Sequence, residues 1–118
     1  GLGAHSISNT KILKKLDLEK ILRIKLKKKI ILATFHPVTL EKNQSINQIK
    51  NLIKFLNRMN EFTIIITSPN FDNETVDLKK EILDFVKKKN NVSYYDSLGN
   101  KAYISLMKIS YLVISSYN

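Results

Sequence analysis

The run Lys29–Phe35, "KIILATF", constrains this chain more than any other feature. It is apolar at successive positions rather than at alternate ones, and it is too short for a helix. A strand of that kind suits a parallel sheet covered on both faces. His36-Pro37 follows, and proline cannot donate to a sheet ladder, so the strand ends by His36. The histidine is then either a strand-end residue or a group placed to do chemistry.

Three more runs share the pattern: Phe62–Thr67, "FTIIIT"; Val92–Tyr95; and Tyr111–Ile114. Helical spacing lies between them. Ser45 and Gln48 fit a capping box, and Ile46, Ile49, Leu52, Ile53, Leu56 and Met59 mark one face of a helix running to about Asn60. Leu78, Ile82, Phe85 and Val86 mark a second long helix ending near Lys88, and Asn90-Asn91 is a turn. Tyr103, Leu106 and Met107 mark a short third helix. Ahead of the first strand, Asn9 or Thr10 caps one short helix bearing Ile12, Leu13 and Leu16. Asp17 caps another bearing Leu18, Ile21, Leu22 and Leu26.

The order is β-α-β-α-β-α-β after a lead-in. It predicts an α/β, Rossmann-like parallel sheet with helices on both faces. The expected strand order is 3-2-1-4. At 118 residues the chain fits one domain, 1–118, with a loop and helical lead-in over 1–28 and a core over 29–118.

Composition removes several chemistries. There is no cysteine and there are two histidines, so neither a disulfide framework nor a metal site is expected. No apolar run approaches a membrane span, and no secretory signal is evident, which makes the cytosol the expected compartment. The formal charge is +10, with only Arg23 and Arg58 as arginines. Arginine is the preferred fork for phosphates, so a solvated surface is the first reading and a nucleic-acid site the lesser one. Lys25-Leu26-Lys27-Lys28-Lys29 reads as a solvated approach to the first strand.

In such sheets ligands bind beyond the carboxyl ends of the strands, where the winding reverses. With order 3-2-1-4 the reversal lies between strands one and four. The loops leaving them are His36-Pro37-Val38-Thr39 and Ser115-Ser116-Tyr117-Asn118. Gly99 opens the last helix, where free N–H groups attract anions. No dinucleotide G-x-G-x-x-G follows a strand, and no phosphate-loop motif is present. His36 is the only group near that cleft suited to proton transfer near neutrality, with Glu41 a few residues on.

"ILATFHPVTLE", Ile31–Glu41, resembles a signature of the hydrolysing UDP-N-acetylglucosamine 2-epimerases of sialic- and legionaminic-acid pathways. "GAHSISN", Gly3–Asn9, is similar to their G-A-P-G-L-D-N turn. Lys87–Ser116 resembles their S-L-G motif, Y-x-S-L-x-K helix and strand leading to a serine-rich loop. The resemblance implies two Rossmann-like domains in the GT-B arrangement, of which this chain matches the first part of the C-terminal one. It implies elimination of UDP from UDP-N-acetylglucosamine and hydration of the glycal to N-acetylmannosamine, with no cofactor. It places His36 near the diphosphate and sugar as the catalytic candidate, joined by Thr39 on the UDP. Ser97, Leu98 and Gly99 fall on the uridine side, and Ser115 and Ser116 at the diphosphate. His5, Ser6 and Ser8 depart from the family's proline, glycine and aspartate, and the serine cluster lacks its glycine. The expectation is an incomplete half of a GT-B fold, inactive alone. Its fourth strand is an edge, through which it dimerises or meets a missing half. The alternative is a basic α/β module that binds nucleic acid or a protein without catalysis.

Overall fold

The computed structural model describes residues 11–36, 42–68 and 76–116. Its elements are α1 (Lys15–Leu22), β1 (Ile30–Phe35), α2 (Lys42–Leu56), β2 (Thr63–Thr67), α3 (Val76–Lys88), β3 (Val92–Tyr95), α4 (Asn100–Ile109) and β4 (Leu112–Ser116). The four strands form one sheet in the order β3-β2-β1-β4, every pairing parallel. This is the expected Rossmann-like α/β arrangement. The winding reverses between β1 and β4.

β1 and β2 are buried at every position, as their unbroken apolar runs require. Side chains alternate across the sheet. Ile31, Ala33 and Phe35 pack with Ile64 and Ile66 against Ile49 and Leu56 of α2 and Leu78 and Ile82 of α3. Ile30, Leu32 and Ile65 pack on the opposite face against Leu18 and Leu22 of α1 and Ala102 and Leu106 of α4. Two apolar layers therefore hold one sheet between them.

Five local expectations are corrected. One helix, α1, replaces the two short ones over the described part of the lead-in. Residues 11–14 carry no helix, and the Leu13 N–H donates to Ser105 Oγ on α4 at 2.9 Å, which draws that stretch along α4 instead. Asp17 lies in the first turn of α1 rather than at its cap, and the helix stops at Arg23, whose φ of 60° is left-handed. Ser45 is not a cap, because α2 already begins at Lys42 and Ser45 is buried inside it. α2 stops at Leu56, and Met59 packs against the core from beyond its end. β4 runs on to Ser116, so Ser115 and Ser116 belong to the strand and not to a loop.

β4 forms one edge of the described sheet. Tyr111 is 67 % exposed, and Leu112 and Val113 each more than a third, in contrast to the fully buried β1 beside them. No helix among the described residues is long and apolar enough to cross a membrane.

Candidate functional site

Each central strand carries a threonine near its carboxyl end. Thr34, one residue before the end of β1, and Thr67, the last residue of β2, stand side by side in register and face the α4 side of the sheet. Beyond them a cleft of about 370 Å³ opens, lined by Thr34, His36, Thr67, Ser97, Leu98, Gly99, Asn100 and Tyr103. It lies at the carboxyl ends of β1, β2 and β3, under the start of α4.

Three contacts fix its walls. The buried Ser68 hydroxyl donates to the Phe35 carbonyl at 3.0 Å, which ties the exit of β2 to the exit of β1 one residue before His36. The hydroxyls of Thr34 and Tyr103 share a hydrogen bond at 2.8 Å, which joins β1 to the first turn of α4. The Tyr95 hydroxyl donates to the Leu22 carbonyl at 2.6 Å and fastens β3 to the end of α1. Burial pushes that phenol's pKa up.

Gly99 precedes α4 with φ 75° and ψ 153°, a conformation that is essentially glycine's alone. An added Cβ would meet nothing within 4 Å, so the requirement is conformational rather than spatial. No side chain caps α4. The N–H groups of its first turn have no intrahelical acceptor, and the positive end of the helix faces the cleft.

Asp96, in the loop leaving β3, is held away from this work. Its carboxylate pairs with Lys79 of α3 at 2.8 Å and accepts from the Tyr94 hydroxyl at 3.0 Å. The bond from Lys79, then the one from Tyr94, lowers its pKa. Burial, then Asp96, raises that of Tyr94. Among the described residues that line the cleft there is no carboxylate, and His36 is the acid–base side chain available beside the Tyr103 phenol. No three His, Cys, Asp or Glu side chains among the described residues gather as metal ligands do.

The structure brings together four of the residues picked from the sequence: His36, Ser97, Leu98 and Gly99. Ser115 and Ser116 lie on β4, in register with Thr34 and Phe35 at the carboxyl end of β1. Thr39 lies outside the described residues. Thr34, Thr67, Asn100 and Tyr103 were missed. The two threonines had a signal, a hydroxyl within the last two positions of each buried strand; Tyr103 had only its place one turn after Gly99.

Over residues 2–116 the sequence matches the family described as UDP-N-acetylglucosamine 2-epimerase. It is also 38 % identical over 117 residues to a Campylobacter jejuni protein named GDP/UDP-N,N'-diacetylbacillosamine 2-epimerase (hydrolyzing). That alignment takes in 98 % of this chain and 30 % of the relative, so the chain spans about a third of the length of the curated protein it matches. The match takes in nearly the whole sequence, and the chain belongs to the UDP-N-acetylglucosamine 2-epimerase family.

Proposed function

We propose that this chain supplies the nucleotide-binding side of a hydrolysing UDP-sugar 2-epimerase, as part of a GT-B C-terminal domain. The observation that carries the proposal is the cleft itself. It joins the histidine of the family-like His36-Pro37 segment to the Ser97-Leu98-Gly99 loop at the uncapped start of α4. Backbone N–H groups there suit a diphosphate, and Leu98 and the neighbouring hydroxyls suit a nucleoside.

In this reading His36 stands where a glycosyl diphosphate would leave the sugar. Its imidazole donates a hydrogen bond to a phosphate oxygen and stabilises the charge that builds as UDP departs. Elimination and hydration also need a group to take a proton from carbon and another to position water. No carboxylate among the described lining residues can do so. In this reading the chain by itself binds UDP without turning over UDP-N-acetylglucosamine. The exposed flank of β4 supports a further strand or a second copy pairing there. A strict monomer by light scattering at high concentration contradicts that pairing.

Calorimetric titration of UDP into the chain and into His36→Ala tests the proposal. The account expects UDP to bind in preference to ADP, and the substitution to weaken binding about tenfold with the unfolding midpoint unchanged. Equal affinity for both proteins overturns the role of His36. Unfolding of the variant assigns the histidine to structure.

A further inference from the structure

The chain's charge is sorted by the sheet. The helix-to-strand connections, residues 23–29, 57–62, 89–91 and 110–111, meet the amino ends of the strands, opposite the cleft. They carry seven basic side chains against one acid, Glu61, a net +6 of the formal +10. The strand-to-helix connections, residues 36–41, 68–75 and 96–99, carry Glu41, Asp72, Glu74 and Asp96 and no lysine or arginine. Helix dipoles account for the further lysines next to the rim, Lys87, Lys88 and Lys108, which sit in last turns. They do not explain Lys25, Lys27, Lys28 and Lys29, which lie between α1 and β1.

Several of these ammonium groups are already in place. Lys27 Nζ donates to the Asn60 carbonyl at 3.0 Å, and its backbone N–H donates to Thr63 Oγ1 at 2.8 Å. Lys89 Nζ donates to the Asn57 carbonyl and to Asn60 Oδ1, so two cations converge on one asparagine. Lys29 Nζ lies 5.8 Å from the Phe62 ring centre and 5.1 Å from that of Tyr111. All these partners are neutral. Among the described residues no carboxylate pairs with the rim lysines; the Lys79–Asp96 pair lies elsewhere, between α3 and the loop leaving β3. Beside them lies a hollow of about 420 Å³, lined by Lys25, Lys27, Thr63, Asn90, Asn91 and Ser93 with Ile24. Lys25 and Lys27 at its edge complement carboxylates, whereas the Asn91 amide already donates to the Met59 and Phe62 carbonyls and serves to hold the wall.

We infer that this amino-end rim is a docking surface for an acidic peptide segment, independent of the nucleotide cleft. Lysines held against neutral groups keep their charge and lose less side-chain freedom on binding. Nucleic acid is the weaker fit: five of the seven basic groups are lysine, and Lys29 already covers a face of both nearby rings, where a base would stack.

The test is fluorescence anisotropy of a labelled oligoglutamate peptide and of an oligothymidylate of equal length, titrated with the whole chain. The variants are Lys25→Glu/Lys28→Glu and a charge-matched control, Lys14→Glu/Lys15→Glu, each checked by thermal unfolding. The inference expects the peptide to bind more tightly than the oligonucleotide. The rim pair should weaken it about tenfold or more and the control less than about twofold. Equal loss in both variants overturns it in favour of net charge alone. Tighter oligonucleotide binding overturns it in favour of nucleic acid. No peptide binding at low salt overturns it outright.

Discussion

The two ends of this sheet are built from the same strands by different means. At the carboxyl end, positions are set by the strands themselves and by hydroxyls: Thr34 against Tyr103, Ser68 against Phe35, and a glycine that only one conformation suits. At the amino end, positions are set by long cationic side chains folded back onto carbonyls and rings. The first kind of construction holds a small ligand in a fixed geometry. The second presents charge over a surface. Among the described residues that line the cleft there is no lysine or arginine, so an anionic nucleotide there depends on hydrogen bonds and helix N–H groups. Its affinity should fall little with salt, whereas binding at the lysine rim should fall steeply.

Stability should separate the ends as well. The largest effect is expected at Gly99. Gly99→Ala forces a Cβ into a conformation side chains avoid and should cost about 1–3 kcal/mol in urea unfolding. A loss within error would mean that the turn before α4 relaxes freely. Next is Ser68→Ala, which removes the buried donor from the Phe35 carbonyl. Loss of that hydrogen bond should cost about 0.5–1.5 kcal/mol, and it should disturb His36 one residue on. Tyr103→Phe keeps the ring and deletes one half of the Thr34 pair. A cost of about 0.5–1.5 kcal/mol and a weaker UDP complex are expected. At the amino end Lys27→Ala should fall within about 0.5 kcal/mol of the parent, because its ammonium is exposed. A larger loss there would erase the contrast between the ends.

Another small effect concerns pH. The pKa of Asp96 is lowered on folding, so its pair with Lys79 stabilises the fold above the carboxyl's unfolded pKa. That contribution is lost as the pH drops through the lower folded value. Asp96 is largely solvent-exposed, so the contribution is at most about 1 kcal/mol. Asp96→Asn should remove that acid-side dependence and leave stability at high pH lower by the same small amount. An unchanged acid limb would show the pair to be idle.

Much of this architecture was readable from residue order. Four apolar runs separated by helical spacing leave few ways to wind, and the reversal beside β1 follows from the strand order seen. The cleft was readable where a residue type marks a position: a proline after the strand, a glycine before a helix. It was unreadable where a contact spans the chain. Tyr103 looks like one more residue on an apolar helix face until Thr34, 69 residues earlier, comes within 2.8 Å of its hydroxyl. Ser115 and Ser116 misled for the opposite reason. Serine reads as loop, but backbone pairing with Thr34 and Phe35 extends β4 through both. Ser45 matched a cap pattern that many helix interiors also satisfy.

The most direct test of the central claim is an amide-resolved NMR titration of the chain with UDP. Saturable shifts should appear at Thr34, His36, Ser97, Gly99, Asn100 and Tyr103, with Lys25, Lys27 and Asn91 unmoved. Shifts confined to the lysine end, or none that saturate, would contradict a nucleotide site at the carboxyl ends of the strands.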